Sequence, residues 1–136
     1  TAVIVIGIFI GEVVIELFNG DVTAYLFPTP NWTQNTTDYV VWRRHDDGWD
    51  NDIGKMEREC KETLGDEMMP HFTQTSDKSI IAYNQAEKIF AIMNKVGDVI
   101  NCYRAKQKYV DGKVRRGEVT SWAKYNNIYV PPEAFG

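Results

Sequence analysis

Tyr39-Val40-Val41-Trp42-Arg43-Arg44-His45-Asp46-Asp47-Gly48-Trp49-Asp50-Asn51-Asp52-Ile53-Gly54 is the stretch on which the reading of the fold turns. Its opening residues are β-branched or aromatic, the composition that suits a pleated surface, so Asp38 to Arg43 is predicted as a strand. Alternation then sends Tyr39, Val41 and Arg43 to one face and Val40, Trp42 and Arg44 to the other. Asp47-Gly48 makes a turn. Beyond it Ile53, Met56, Cys60 and Leu64 fall on one helical stripe, with Asp52 as the N-cap and Gly65 as the stop.

Upstream, Val3 to Ile10 is an apolar, β-branched run that reads as a strand buried on both faces or covered by a partner subunit. Gly11 marks a turn or bulge, and Glu12 to Phe18 reads as a second strand. Asn19-Gly20 is a strong hairpin signal, because a type I′ turn needs positive φ at both central residues. Val22 to Phe27 therefore returns antiparallel. Pro28 to Thr37 reads as a loop, with Trp32 as an anchor into the core.

Downstream, Ser79 to Tyr83 is a short strand or the start of a helix. Asn84 to Val96 is predicted as a second helix, since Ile89, Met93 and Val96 recur at helical spacing and Gly97 follows. Asp98 to Arg104 is a strand or a continued helix. Asp111-Gly112 reads as a tight turn, with Lys113 to Arg116 and Val119 to Lys124 as polar edge strands. The expected architecture is a single α+β domain over residues 1–136, an antiparallel β-sheet with two α-helices packed on one face.

The 136 residues are enough for one domain with a real core. A formal net charge of −4 argues against general nucleic-acid binding, which shows as a basic excess. Two cysteines, Cys60 and Cys102, are too few for a disulfide framework and read as buried free thiols. The apolar N-terminal run is interrupted by Glu12 and Glu16 before the roughly 20 residues a membrane helix needs. No basic segment or cleavage site flanks it, so the expectation is a protein of the cytoplasm.

Polar chemistry is densest in the central turn. Arg43 or Arg44 suits a bidentate grip on phosphate. His45 beside Asp46 and Asp47 suits acid or base work, since neighbouring carboxylates raise an imidazole pKa. The bland alternative is that these charges pair with one another in solvent. A second basic cluster, Arg104, Lys106, Lys108, Lys113, Arg115 and Arg116, is interleaved with Tyr103 and Tyr109, a combination that stacks on a base and neutralises its phosphate. Candidate ligand-binding residues are therefore Arg43, Arg44, His45, Asp47, Trp49, Tyr103, Arg104, Arg115 and Arg116. Asp50-Asn51-Asp52 starts like a calcium loop but lacks the later glutamate, and a zinc site would need both His45 and His71. No cofactor fingerprint, nucleophile elbow or phosphate loop is present.

From Arg43 to Gly54 the chain resembles a motif of small phage and prophage proteins, roughly YRHWDGYPEGVG in one-letter form. Arg44, His45, Asp47, Gly48 and Gly54 match it, Trp49 stands for the tyrosine, and Asp46 and Asp50 replace the tryptophan and the proline. The resemblance implies a viral or mobile-element origin, a strand-turn-helix at this point and, with it, the cytoplasm of a host cell. It implies no activity. The functional expectation is a non-enzymatic accessory protein that binds an anionic, nucleotide-like ligand or a host protein, with countering host defence as its purpose, and that forms a homo-oligomer through its N-terminal strand. The alternatives are a small enzyme on a nucleotide-derived substrate, with His45 and Asp47 in acid/base roles, and a structural virion component.

Overall fold

The computed structural model describes the backbone of residues 4–9, 12–17 and 22–132, and the side chains of residues 27–132. Ile4–Phe9 (β1), Glu12–Leu17 (β2) and Val22–Leu26 (β3) form an antiparallel meander in that order, as the hairpin reading expects. The Asn19-Gly20 turn and the burial of the first strand's side chains lie outside the described residues.

Gln34–Trp42 is a helix (α1), not a strand. The reason sits just before it: Thr33 is the N-cap, and Thr33 and Thr36 accept each other's backbone N–H in a reciprocal capping box, both at 3.1 Å. Thr36 also donates its hydroxyl to the Val99 carbonyl. Thr36 and Val40 are buried, whereas Tyr39, Val41 and Trp42 face outward. Burial spaced at one residue per helical turn is what the β-branched composition concealed.

Arg44 leaves α1 in the left-handed region, a single turn of 3-10 helix follows at His45–Trp49, and Asp50 and Asn51 are again left-handed. Ile53–Gly65 (α2) then matches the expected helix. Asp52 accepts the Lys55 amide at 3.0 Å, and Met56, Cys60 and Leu64 are buried. The phage-like motif is therefore helix, 3-10 turn and helix rather than strand, turn and helix.

The main sheet is built from His71–Gln74 (β4), Ile80–Asn84 (β5), Ile89–Met93 (β6), Val99–Arg104 (β7) and, after the helix Gln107–Arg115 (α3), Val119–Ser121 (β8). Its order is β7-β6-β5-β4-β8, antiparallel throughout. Ala123–Tyr125 (β9) and Ile128–Val130 (β10) add a small hairpin.

Two further expectations are corrected here. Asn84 to Val96 is no helix but the β5–β6 turn followed by β6, whose five residues are all buried; both faces of the sheet are covered, so the run never alternates. Asn84 Oδ1 accepts the Glu87 amide at 3.0 Å, and Lys88 takes positive φ to close the turn. Asp111-Gly112 is no turn and Lys113 to Arg116 no strand, because both lie on α3 or its cap. Gly112 lies within α3, with the far end of the Arg116 side chain over the place of its missing Cβ.

The chain is thus an α+β fold. On one face α1 and α2 supply Val40, Met56, Cys60 and Leu64 to a core with Ile80, Ala82 and Met93, so two helices share a face, but the second is α1 and not the expected Asn84 to Val96. On the other face α3 sets Val110 against Ile81, Tyr83 and Phe90. Trp32 packs, partly buried, against the first of these cores. The β6–β7 turn tucks under the chain at Thr29, where Gly97 at φ +101 leaves no room for a Cβ. Cys60 on α2 and Cys102 on β7 are joined by a disulfide, contrary to the free-thiol reading: the helix stripe and the inward face of β7 meet there. Among the described residues no helix is long and apolar enough to cross a membrane.

Candidate functional site

The end of β7 and the start of α3 enclose an open groove of about 680 Å³, lined by Tyr103, Arg104, Ala105, Lys106, Lys108, Tyr109, Asp111 and Arg115. Residues 104–117 carry six basic side chains and one acidic, in a chain whose overall balance is negative. The basic patch is local.

The start of α3 has an unusual charge arrangement. Helix N-termini favour Ser, Thr, Asp or Asn as the cap, because four amides there lack an intrahelical acceptor. Here the cap is Lys106, which has no side-chain acceptor to offer, and Lys108 sits in the first turn. Two cations at the positive end of a helix dipole are unfavourable by roughly 0.3–1 kcal/mol each. An anion seated in the groove would satisfy amides and lysines together.

Aromatic side chains back this groove. Tyr103 and Tyr109 join through their hydroxyls at 2.7 Å, with ring centroids 5.9 Å apart, and Phe90 lies beneath both. Burial, with the Tyr109 bond, pushes the Tyr103 phenol pKa up, so it stays protonated. Lys113 holds its ammonium 5.1 Å from the Tyr109 ring.

Arg104 is a clamp. Its guanidinium stacks 4.1 Å over Trp49, donates to the carbonyls of Gly48 at 3.2 Å and Glu87 at 2.7 Å, and faces Glu59 at 3.8 Å. Gly48 is required by this approach, since a Cβ there would meet Arg104 Cγ at 2.8 Å. Trp49 is 3% exposed and donates its indole N–H to Glu59 at 3.1 Å. Of the expected ligand-binding residues, Trp49 and Arg104 thus tie the 3-10 turn to α2, β7 and the β5–β6 turn, leaving Arg104 only an edge on the groove.

His45 bridges the two clusters. Its Nδ1 lies 3.0 Å from Asn101 Oδ1, which also accepts the Cys102 amide, so Nδ1 carries the proton. Its ring is 5.0 Å from Tyr103 and 6.5 Å from Tyr39. Burial pushes its pKa down, aided by Arg43 and opposed by Asn101 and Asp46, so the expected upward shift is reversed. Asp47 is exposed and is held, with Asp46, by the Asn51 carboxamide, whose nitrogen reaches their oxygens at 2.9 and 3.3 Å. His45 is thus held by Asn101 and Asp47 by Asn51.

Arg43 and Arg44 are exposed and have no ion-pair partner among the described residues; neither lines the groove. Arg43 lies 5.9 Å from the Trp42 ring. Arg115 lines the groove, whereas Arg116 pairs with Glu118 at 3.0 Å. Sequence reasoning missed Tyr39 and Trp42, which a strand reading sends to opposite faces. Their i, i+3 spacing on a helix brings the rings to 6.0 Å.

The residues considered for metals are otherwise engaged: Asp52 caps α2, Asn51 holds two carboxylates, and both nitrogens of His71 meet backbone carbonyls, Met69 at 2.7 Å and Leu64 at 3.1 Å. No protein-family model, curated protein or solved structure matches the chain.

The two histidines set a pH dependence. Burial pushes His71 down as it does His45, against its two carbonyl contacts and the Asp66 and Glu67 carboxylates. Both folded values lie below the unfolded value of about 6.5. Below that pH the unfolded chain takes up protons that the fold resists, so stability is full above about pH 6.5 and falls as the pH drops toward the folded values. Urea midpoints are expected to be flat from pH 8 to 7 and to decline from 6.5 to 5, with a shallower decline in His71→Gln. A midpoint that holds or rises on acidification contradicts this.

Proposed function

We propose that the chain is a non-enzymatic, phage-type accessory protein that binds an anionic, nucleotide-like ligand in the groove between β7 and α3. The observation that carries the reading is the lysine-capped start of α3 beside the Tyr103–Tyr109 pair: a cationic, amide-rich end for phosphate next to rings for a base. The groove volume of about 680 Å³ falls within the 300–1,000 Å³ of ordinary ligand sites. The resemblance at Arg43 to Gly54 supports a viral or mobile-element origin and carries no activity with it; a role against host defence is part of the proposal. A host protein remains an alternative ligand.

Self-association through β1 belongs to the same proposal. Among the described residues β1 pairs on one side only, and Ile4-Val5-Ile6-Gly7-Ile8-Phe9 is an apolar edge of the kind that invites another strand. Action in the host cytoplasm sets the Cys60–Cys102 bridge in a reducing medium, where disulfides are rare. Alkylating cells before lysis and counting blocked cysteines shows which state the protein works in.

Calorimetric titration with nucleoside mono- and diphosphates tests the binding reading. Binding is expected in the wild type, with a loss of tenfold or more in Lys106→Glu/Lys108→Glu. Both lysines are exposed, and acidic residues suit a helix start, so the variant keeps or gains stability. Silence across the panel removes the proposal.

A further inference from the structure

Trp42, Tyr39, His45, Tyr103 and Tyr109 form one continuous band of rings. Successive centroids are separated by 6.0, 6.5, 5.0 and 5.9 Å, so the band joins the outer face of α1 to the groove at α3. Cations stand at both ends: Arg43 beside Trp42, with Arg44 next in the chain, and Lys108 and Arg115 at the groove, whereas Lys113 over Tyr109 is already paired with Glu118 at 3.7 Å. Trp42, 72% exposed, is the most exposed aromatic ring among the described residues, where a lone tryptophan would ordinarily be covered. Arg44 holds a left-handed backbone at φ 60, a conformation that disfavours a non-glycine residue.

From this geometry we infer that the band is a track for a short single-stranded nucleic acid, with the ligand of the α3 groove forming one end of a longer strand. The inference rests on the groove reading and extends it from a nucleotide to an oligonucleotide. Every base has a π-face, so the exposed rings of Trp42, Tyr39 and Tyr109 accept bases without reading their sequence, with half-buried His45 and Tyr103 connecting them, and flanking cations take the phosphates. A double helix hides those faces, so the track selects single strands. The acidic balance of the chain opposes broad polyanion binding but not a short track with its own cations. An acidic protein segment is the competing occupant, one that would use the cations and not the rings.

A fluorescently labelled oligothymidylate of about eight nucleotides, within the span of single-strand sites, supplies the test. Anisotropy is expected to show affinity at least tenfold above that of thymidine monophosphate, falling with salt at a log–log slope of about −0.7 per phosphate contacted. Trp42→Ala should weaken the oligomer about tenfold and leave the mononucleotide unchanged. Its exposure makes the fold indifferent to the change. Trp49 and Trp122 are buried and Trp32 partly so, which makes iodide quenching report on Trp42, and the oligomer should protect it. Equal affinity for oligomer and mononucleotide, or an unaltered Trp42→Ala, overturns the track and leaves the groove standing. Protection of Trp42 by polyglutamate but not by the oligomer overturns it in favour of a protein partner. No binding of either nucleotide form overturns both.

Discussion

Replacing Trp49 by alanine is expected to destabilise the fold by about 3–5 kcal/mol, the cost of emptying a buried aromatic site. More than the ring is lost. The Arg104 guanidinium loses the surface it stacks on at 4.1 Å, and the Glu59 carboxylate loses its indole donor. With total stabilities of roughly 5–15 kcal/mol for domains, such a loss leaves the fold marginal and lowers the melting midpoint by roughly 10 °C or more. Trp42→Ala, a few residues away in sequence, should melt like the wild type. Thermal melts of the two variants side by side check this; equal midpoints would refute the role given to Trp49.

The second large effect belongs to the disulfide. Cys60 and Cys102 are 42 residues apart and both fully buried, so the bridge closes a long loop and fixes α2 against β7 directly behind the site. Chain entropy for that loop gives about 4 kcal/mol, and native bridges typically contribute 2–4 kcal/mol. Cys60→Ala/Cys102→Ala should lose about that much in urea unfolding. Wild-type protein unfolded with reductant should shift toward the variant, whereas identical curves with and without reductant would contradict the account. Because Cys102 lies between Asn101, which holds His45, and Tyr103, loosening it should also blunt nucleotide binding.

How much of this was legible in the sequence depends on which signal each segment carried. Asp52 to Gly65 was legible, since a cap, a stop and an amphipathic stripe agreed. So were the strands β1 to β3, through their β-branched composition, and the antiparallel return of β3 on β2, through Asn19-Gly20. Tyr39 to Trp42 misled because its β-branched composition suits a strand, whereas the helix is started by the Thr33 and Thr36 capping pair, two side chains inside a stretch that reads as loop. Ile89 to Met93 misled because a strand buried on both faces shows no period of two, and Ile89 with Met93 also fits a helix. The cysteines are separated by three intervening strands, and only the packing of α2 across β5 and β6 brings Cys60 to Cys102 on the neighbouring β7.

The site was half legible. Aromatic and basic residues from Tyr103 to Arg116 stood out as a cluster, and most line or flank the groove. Trp49 and Arg104 stood out for the same composition, yet serve packing, because an arginine beside a tryptophan looks alike in sequence whether it meets a ligand or a neighbouring strand. The link through His45 required the fold, since its partners Asn101 and Tyr103 lie more than fifty residues away and on another element.

The most direct measurement is the nucleotide titration followed by amide shifts in isotope-labelled protein. Saturable shifts at Ala105 to Tyr109, with the His45 ring moving alongside, are the result expected of a phosphate seated on the first turn of α3. An unchanged first turn of α3, with shifts elsewhere or none, would contradict the account.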